Sequence, residues 1–590
     1  MNNIITALAA LAVDYYKPSH RTMYAQGTEV IYSSFTPRSF SRFKATSRFD
    51  NKMTHIGTQL VIKDYLIDEW NESFFNQPLQ SVLDAYSRHM KFTLGQAAAE
   101  TEHIEALHNL GYLPICIKTL PEGSRVPAKV PVFTIVNTLP DFFWLTNYLE
   151  SVISAESWKI ATVATTAYEF RRGFEYWADI TGASKDFIQF QGHDFSFRGM
   201  SGRHDAMRSC IGHLSCFTGT DTALAVVGAE KWYNANIESE LVGTSVPATE
   251  HSVMTQMIAH IKQSLDDKGE WYSGTCWYDI EGLQFDQSHT NTQRLAELAY
   301  IIYLITELYP TGVISIVADS FDFWYLMEFG LTVLKPYIES RKPCALGLNK
   351  VVFRPDSGNP VDIICGYKVY TDLNTIVSTY EHEYDQGQDS EVVYCKYDKY
   401  YQGRFSVDSD NTYELIEEDD FDVEITEAEA KGAMQCLYEV FGSTTNEAGY
   451  ETLSPYVGLI YGDSITLDRQ EAILSKLAAK KYATDCIVLG VGSYEYGMKS
   501  RDTLGFAMKA TYSEINGSPI NIYKDPKTDD GTKKSAKGLL AVVSDEQGNF
   551  TLKDECSKGT ESLGCLQPVF KDGKLLQETS LAEIRSRLWN

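Results

Sequence analysis

The sequence predicts an α/β protein with an irregular (β/α)₈-type barrel and a mixed α/β domain formed by the N- and C-terminal segments. Three observations predict this fold class. A chain of 590 residues is too long for one hydrophobic core, so two or three domains are expected. From about residue 185 onward, short apolar runs alternate with helical patterns, which is typical of parallel strands joined by helices. These runs also end repeatedly in charged, hydroxyl or glycine residues.

The first 150 residues mix helical and strand patterns. Apolar residues recur at helical spacing over 57–74, and a second helical pattern covers roughly 80–110. Residues 126–137 predict strand structure, and residues 140–180 predict one or two long helices. Because 510–590 contains strand-like pieces again, we expect domains over 1–150 completed by 510–590, and over 151–509.

The barrel is predicted from a series of strand-like runs whose ends are polar. In a (β/α)₈ barrel the active site forms at the carboxyl ends of the strands. Polar residues also end strands for structural reasons, so one run alone would be uninformative, whereas a series favours a site. The runs are Phe187–Phe190, Cys216–Phe217, the run that ends at Glu250 and His251, Val313–Val317, Val351–Phe353, Val457–Ile460 and Cys486–Leu489. Helical patterns over 291–308 and 466–480 separate some of them.

Two segments, near 262–285 and 366–455, interrupt this alternation and are expected to be insertions. The second is rich in tyrosine and acidic residues. Its Asp408-x-Asp410 resembles the start of a calcium-binding loop. Tyr413 stands where an EF-hand requires glycine, so the sequence excludes that motif.

Composition excludes several classes of function. A formal net charge of -27 argues against broad binding to nucleic acid or to anionic membranes, although a small basic pocket remains possible. Eleven cysteines without a CxxC pair suit reduced thiols, give no metal-ligand spacing and favour a cytoplasmic location. The apolar run 4–13 lacks a basic start and is followed by Asp14. We therefore expect neither a signal peptide nor a transmembrane segment.

Common catalytic motifs are missing from the sequence. It contains no GxxxxGK[ST], no HExxH and no GxSxG, and Gly490-Val-Gly492 lacks the third glycine of a dinucleotide fingerprint. The usual nucleotide-binding and hydrolase readings are therefore excluded.

Arg354-Pro-Asp356 is the most informative local motif. Side chains two residues apart on a strand point the same way, so this arginine and aspartate can act together. The arginine can hold a phosphate or a ring carbonyl, and the aspartate can accept ribose hydroxyls. Gly462-Asp463-Ser464 and Gly490-x-Gly492-Ser493 offer backbone N–H groups for a phosphate ester, although Asp and Gly also favour turns for structural reasons.

Six collinear motifs carry a family resemblance. They are His193-Asp-Phe-Ser-Phe-Arg-Gly199, Gly219-Thr-Asp-Thr222, Ser245-Val-Pro-Ala-Thr-Glu-His-Ser252, Arg354-Pro-Asp-Ser-Gly-Asn-Pro360, Tyr461-Gly-Asp463 and Lys524-Asp-Pro526. Together they resemble the nicotinamide phosphoribosyltransferases, a type II phosphoribosyltransferase family. The similarity extends from Asp14 to near the C-terminus and lapses in the two expected insertions.

The resemblance implies an enzyme of NAD salvage. Nicotinamide would attack C1 of 5-phosphoribosyl 1-diphosphate (PRPP), with Mg²⁺ assisting, to give nicotinamide mononucleotide and diphosphate. It also implies a homodimer with two active sites at the subunit interface. The attacking ring nitrogen is neutral and has a free lone pair, so the chemistry needs positioning and charge stabilisation rather than a general base.

The resemblance assigns roles to matching positions. The pyridine ring would stack between Phe195 and the partner subunit's Tyr16, with Asp221 accepting from the carboxamide. Arg354 would reach the base and the phosphates. The remaining substrate-binding positions are Asp356 and Asp463 for the ribose, Gly462, Gly492 and Ser493 for the 5′-phosphate, Ser245, and, around the diphosphate, Arg198 with the other subunit's Arg38, Arg501, Lys509 and Lys524.

His251 matches the family's phosphorylatable histidine. The resemblance implies that ATP, a facultative co-substrate, phosphorylates this residue and that the phosphohistidine tightens substrate binding. Asp319 is expected to orient the imidazole. The structural alternative is a core histidine satisfied by hydrogen bonds.

Ser493 departs from the family pattern, which usually has a second glycine there. Two alternative functions are disfavoured by the sequence. A nicotinate phosphoribosyltransferase is disfavoured because the carboxylate of Asp221 would repel the carboxylate of nicotinate. A non-catalytic binding protein on the same scaffold is disfavoured because Arg354, Asp356, Asp463 and His251 are all present.

Overall fold

The structure is a computed structural model that describes residues 5–283, 291–371, 390–407, 413–416, 423–462, 464–528 and 534–589. The chain divides into two compact units. Unit 1 comprises Met1–Arg171, Asp194–Thr244 and Ser493–Asn590, and unit 2 comprises Arg172–His193 and Ser245–Gly492.

A seven-stranded antiparallel sheet forms the centre of unit 1. Its strand Thr28–Thr36 pairs with Phe133–Asn137 on one side and with Ala507–Ile515 on the other. Segments from both ends of the chain thus share one sheet, which confirms the predicted mixed α/β domain. In spatial order the strands are Ser518–Asn521, Ala507–Ile515, Thr28–Thr36, Phe133–Asn137, Ile115–Thr119, Gln567–Lys571 and Lys574–Leu575. Two small antiparallel pairs are Lys52–Thr54 with Arg125–Pro127, and Leu539–Ser544 with Phe550–Cys556.

Helices of unit 1 follow the predicted apolar patterns. The helix predicted over 57–74 is observed as consecutive helical turns from Thr58 to Phe75, with Trp70 and Phe74 fully buried. The pattern over 80–110 is divided by Gly95, whose φ of 98° is incompatible with a continuing helix. The helices include Leu79–Thr93, Glu102–Leu110, Leu145–Tyr148, Arg203–Ser209, Ile211–Leu214, Ala223–Tyr233, Ser493–Tyr496, Lys558–Ser562 and Leu581–Trp589, and the long helix Glu150–Thr181 spans the boundary of the units.

Unit 2 is built on parallel strands in a curled, half-barrel sheet. Ile314–Val317, Val351–Arg354, Val457–Tyr461 and Ile487–Val491 lie side by side in that order, and each adjacent pair is parallel. Gly192–Asp194 comes next in the sheet order. These four strands coincide with runs that the sequence predicts to be strands, and the α/β fold class is confirmed. The helices include His251–Lys268, Thr292–Tyr303, Leu331–Glu339, Pro360–Cys365, Glu427–Lys431, Ala433–Phe441 and Leu467–Ala479.

The strand prediction is wrong at Phe187–Phe190. These residues form a 3₁₀ turn and the helical turn Ile188–Gln191, and the strand begins only at Gly192. A run of four apolar and polar residues fits a helical turn as well as a strand, so periodicity cannot distinguish them.

Both predicted insertions contain short β-structure. In the first, Gly269 ends the helix His251–Lys268, and Glu270–Tyr272 pairs with Trp277–Asp279 in a hairpin. The described parts of the second form a small sheet of Val369–Tyr370, Ser390–Lys396, Lys399–Val407, Tyr413–Ile416 and Val423–Ile425. Asp408 and Asp410 lie outside the described residues. Within the described part of the chain, none of the helices combines the length and apolar character needed to cross a bilayer.

Candidate active site

His251 is the first residue of an 18-residue helix at one end of the parallel strands. The preceding segment is fixed to the strand Ile314–Val317. The N–H of Thr249 donates to the carbonyl of Ser315 at 3.0 Å, and Thr249 Oγ1 accepts from the N–H of Val317 at 2.9 Å. The His251 side chain is 48% exposed and therefore accessible to a ligand. A helix N-terminus also favours negative charge, including a phosphate.

Asp319 and Ser320 face the His251 ring. Ser320 Oγ lies 3.2 Å from Nδ1, and Asp319 Oδ1 lies 3.7 Å from Nε2. Asp319 is held firmly, because its Oδ2 accepts the N–H groups of Asp356 and Ser357 at 2.8 Å and the Ser357 hydroxyl at 2.6 Å. Its Oδ1 is buried and accepts no hydrogen bond from the described residues. That oxygen is therefore available to the imidazole, as expected for a carboxylate that orients a histidine.

Arg354 and Asp356 lie beside the same segment. Arg354 ends its strand, donates from Nη2 to the carbonyl of Thr249 at 3.0 Å, and places Nε 3.6 Å from Asp356 Oδ1. A Cβ atom at Gly462 would lie only 2.6 Å from Asp356 Oδ1, so any side chain at this position would displace the Asp356 carboxylate. Unit 2 thus brings together His251, Asp319, Arg354, Asp356 and Gly462.

The positions of the other predicted residues of unit 2 say less about the site. Ser245 is exposed, one residue after the bridge between Gly219 and Thr244. Gly492 directly follows the strand Ile487–Val491. Asp463 lies outside the described residues.

In unit 1, the predicted base-binding residues Phe195 and Asp221 meet at Asp194. The N–H of Asp221 donates to the carbonyl of Asp194 at 2.9 Å, and Phe195 is the next residue in the chain. Phe195 is half-buried and Asp221 is exposed. Asp194 has no role in the sequence-based assignment, although it stands inside one of the six motifs. The sequence signal that could have identified Asp194 is a carboxylate next to the end of an apolar run.

Ser493 packs on the turn that carries Arg198. A Cβ atom at Gly199 would lie 2.0 Å from Ser493 Oγ, so the serine hydroxymethyl occupies the space above this glycine. Arg198 itself is exposed, within the turn Phe197–Gly199. The serine that replaces the family's usual glycine is therefore accommodated only because residue 199 has no side chain.

Four of the five cations expected around the diphosphate, Arg38, Arg501, Lys509 and Lys524, lie near one another in unit 1. Burial lowers the pKa of Lys509, and the positive charges of Arg38, Lys524 and Arg501 lower it further, while Glu150 opposes them. Lys509 lies opposite Ser34 in the central sheet, and Arg38 Nε donates to the carbonyl of Gly505 at 2.8 Å. Such a concentration of positive charge in an acidic protein suits a polyanion.

Tyr16 is also in unit 1 and is exposed. Its ring centroid lies 5.2 Å from that of His20, and Lys17 beside it pairs with Glu150 at 2.7 Å. An exposed aromatic ring is available for stacking on a planar ligand.

The buried His213 connects the helical turn Ser493–Tyr496 to the short strand Gly219–Thr220, which precedes Asp221. His213 Nε2 lies 2.8 Å from the carbonyl of Gly219, and Nδ1 lies 2.8 Å from the hydroxyl of Tyr496. Because a carbonyl can only accept, Nε2 of His213 donates to Gly219, while Nδ1 is hydrogen-bonded to the tyrosine hydroxyl. The turn and the strand are thereby held in one hydrogen-bonded chain.

Tyr496→Phe is expected to destabilise the protein by about 1–3 kcal/mol, because Nδ1 of the buried His213 would lose its hydrogen bond to the tyrosine hydroxyl. The urea midpoint should fall relative to wild type. Tyr494→Phe, in the same turn but 55% exposed, is the matched control and should leave the midpoint unchanged. Equal midpoints for both variants would contradict the assigned hydrogen bond.

Glu297 is a second residue that the sequence did not single out. It lies on the helix Thr292–Tyr303, is 2% exposed, and its Oε1 has no hydrogen-bond partner among the described residues. Burial, followed by the charges of Asp322 and Asp319, raises its pKa to about 8. A glutamate within the apolar stretch Leu295–Ile302 was the only signal.

A protein-built metal centre is not evident. Within the described ranges, no cluster of three or more His, Cys, Asp or Glu residues is arranged to hold a metal ion. Mg²⁺ keeps several waters and often binds through substrate phosphates with few protein ligands, so this arrangement is compatible with Mg²⁺ that arrives on a diphosphate.

The chain is similar to a known protein family and to several known proteins. Residues 190–573 match the nicotinate phosphoribosyltransferase (NAPRTase) family. The nicotinamide phosphoribosyltransferase of Acinetobacter baylyi is 44% identical over 577 residues, which cover 98% of this chain and 96% of that protein. That of Mycoplasma pneumoniae is 28% identical, covering 90% and 94%. The crystal structure of nicotinate-nucleotide pyrophosphorylase from Pyrococcus furiosus matches with a TM-score of 0.49 at 13% identity, covering 99% of this chain and 95% of that one.

The family match spans more than half of the chain, and the Acinetobacter relative aligns with nearly all of it. The family resemblance of the sequence and the prediction of an enzyme are thereby confirmed. The chain belongs to the nicotinate phosphoribosyltransferase (NAPRTase) family and is a phosphoribosyl-transferring enzyme of NAD salvage.

Proposed function

We propose that this enzyme transfers the phosphoribosyl group of PRPP to nicotinamide, giving nicotinamide mononucleotide and diphosphate. The observation that carries the choice of base is Asp221, an exposed residue whose backbone N–H is bonded to the carbonyl of Asp194, the residue before Phe195. A carboxylate accepts hydrogen bonds from the carboxamide NH₂ and repels the carboxylate of nicotinate. The names of the Acinetobacter and Mycoplasma relatives support the same base.

The proposed mechanism depends on positioning and charge. Phe195 and the partner subunit's Tyr16 stack on the pyridine ring, and Asp221 orients the carboxamide so that the ring nitrogen points at C1. As the C1–O bond breaks, positive charge develops at C1 and negative charge on the leaving diphosphate. Arg354, Arg198 and the cations around Lys509 stabilise the leaving group, and Mg²⁺ would supply further positive charge when present.

The same proposal assigns the remaining contacts. Asp356 and Asp463 hold the ribose hydroxyls, and Ser245 belongs to the substrate-binding set. The 5′-phosphate is bound by Gly462, Gly492 and Ser493. In the proposed homodimer each subunit supplies five residues to the neighbouring subunit's substrates: Tyr16, Arg38, Arg501, Lys509 and Lys524. We also propose that the enzyme is cytoplasmic.

ATP is the proposed facultative co-substrate, and His251 is its phosphate acceptor. The imidazole nitrogen attacks the γ-phosphorus, ADP leaves, and water later hydrolyses the phosphohistidine. Asp319 Oδ1, close to the ring and without a hydrogen bond from the described residues, stabilises the positive charge on the imidazole. Coupling this cycle to PRPP binding would make ATP lower the KM for PRPP.

A direct assay tests the proposed reaction. The purified protein is incubated with nicotinamide, PRPP and Mg²⁺, with and without ATP, and the mononucleotide is quantified by chromatography. A parallel incubation replaces nicotinamide with nicotinate. Product from nicotinamide supports the proposal; product from nicotinate alone would reassign the substrate, and no product from either would refute transfer.

Asp221→Asn is expected to shift base preference toward nicotinate. Removing one negative charge beside the base relieves the repulsion of nicotinate, whose kcat/KM should rise by about tenfold relative to that of nicotinamide. Competition between the two bases measures the ratio directly. Asp205→Asn, a carboxylate in the same unit that pairs with Lys159, is the control. An unchanged ratio in Asp221→Asn would contradict the role of Asp221.

A further inference from the structure

We propose that Asp194 is the positioning residue that fixes Phe195 and Asp221 together for the base. This inference rests on the proposed function and extends it to a residue that would not touch the substrate. Asp194 is fully buried at the end of the strand Gly192–Asp194. A buried carboxylate needs several donors to remain there, and two of its donors, Ser196 and Thr220, lie in the segments that carry Phe195 and Asp221.

One carboxylate oxygen closes the turn around Phe195. Oδ1 of Asp194 accepts the N–H of Ser196 at 2.9 Å and its hydroxyl at 2.6 Å. The residues before and after Phe195 are therefore bonded to each other. This limits the backbone rotation that would swing the phenyl ring away from the base.

The other oxygen and the carbonyl hold the Asp221 segment. Oδ2 of Asp194 accepts the hydroxyl of Thr220 at 3.1 Å, and the Asp194 carbonyl accepts the N–H of Asp221 at 2.9 Å. Thr220 Oγ1 in turn accepts the N–H of Thr222 at 2.9 Å. Asp221 is thus fixed on both sides, while its own side chain stays exposed.

The hydrogen bonds of Asp194 show which substitutions affect the Asp221 segment without opening the turn around Phe195. Thr220→Val removes the hydroxyl that joins Asp194 to the Asp221 segment and keeps the side-chain shape. In Asp194→Asn, one oxygen can still accept from Ser196, but the amide cannot accept the Thr220 hydroxyl. Both variants should loosen the Asp221 segment, which then keeps only the backbone hydrogen bond from Asp221 to the Asp194 carbonyl, and should leave the turn around Phe195 closed.

Steady-state kinetics with the full-length enzyme tests the inference. For Thr220→Val and Asp194→Asn we expect the KM for nicotinamide to rise by about tenfold, the KM for PRPP to change by less than about twofold, and the preference for nicotinamide over nicotinate to weaken. Tyr233→Phe is the matched control, because it also removes a hydroxyl bonded to a buried carboxylate, that of Glu122, at 2.8 Å. It should lower thermal stability without a change in either KM.

The outcomes distinguish a positioning role of Asp194 from a purely structural one. Equal changes in both KM values, or effects no larger than those of Tyr233→Phe, would overturn the positioning role and leave it structural. Should Asp194→Asn fail to fold, Thr220→Val gives the same decision. A wild-type enzyme that makes no mononucleotide would refute the proposed function itself, and this inference with it. An active wild type with unaffected variants would refute only the inference.

Discussion

Replacement of His251 by alanine is expected to abolish ATP hydrolysis while a slower, ATP-independent phosphoribosyl transfer persists. The phosphate acceptor is lost, yet the residues proposed to bind nicotinamide and PRPP remain. In the wild-type enzyme ATP should lower the KM for PRPP. In His251→Ala, the KM measured with ATP should equal the value measured without it, because no phosphohistidine can form.

Phosphate release and mononucleotide formation, followed in the same reaction, check this expectation. His260→Ala is a matched control, since His260 lies on the same helix and is exposed. It should keep both activities. Asp319→Asn should retain the nucleophile but weaken ATP hydrolysis, because the amide cannot stabilise an imidazolium as a carboxylate does. Intact ATP hydrolysis in His251→Ala would rule out the phosphohistidine.

Where runs were rich in β-branched residues or apolar throughout, the sequence was sufficient to predict the strands. Val313–Val317 and Val457–Ile460 are examples. The apolar patterns over 291–308 and 466–480 likewise predicted helices correctly. The structure of Phe187–Phe190 could not be predicted correctly, because these few residues fit the periodicity of a helix as well as that of a strand.

Candidate site residues at strand ends were also predictable. Arg354 and Asp356 could be recognised because alternation along a strand fixes their common direction. The closeness of Arg38, Lys509 and Lys524 came only from the family resemblance, because no local pattern connects positions so far apart.

Asp194 and Glu297 could not be recognised, since their roles depend on tertiary neighbours. Thr220 and Asp319 are distant in sequence, and nothing local to a buried carboxylate tells whether its donors are present. For Asp194 they are, and for Oε1 of Glu297 none is found within the described residues. The two carboxylates therefore have opposite consequences for stability.

Glu297→Gln is expected to stabilise the protein at neutral and alkaline pH. The folded state raises the pKa of Glu297 from 4.5 to about 8, so the folded protein retains a proton that the unfolded chain releases above pH 4.5. The stabilising contribution is complete below pH 4.5 and is lost as pH rises through 8. At about 1.36 kcal/mol per unit, the full loss is about 5 kcal/mol above pH 8 and about 3 kcal/mol at pH 7.

Glutamine has nearly the same shape and does not ionise, so the variant escapes this loss. Urea midpoints of both proteins, measured at pH 5, 7 and 9, should diverge with increasing pH, the variant being the more stable. Glu447→Gln, at an exposed loop position, should follow the wild-type profile. Parallel profiles for wild type and Glu297→Gln would mean that Glu297 is ionised in the folded protein. In that case the carboxylate must have donors, and the charge next to Asp319, and so next to His251, would be one unit more negative than inferred.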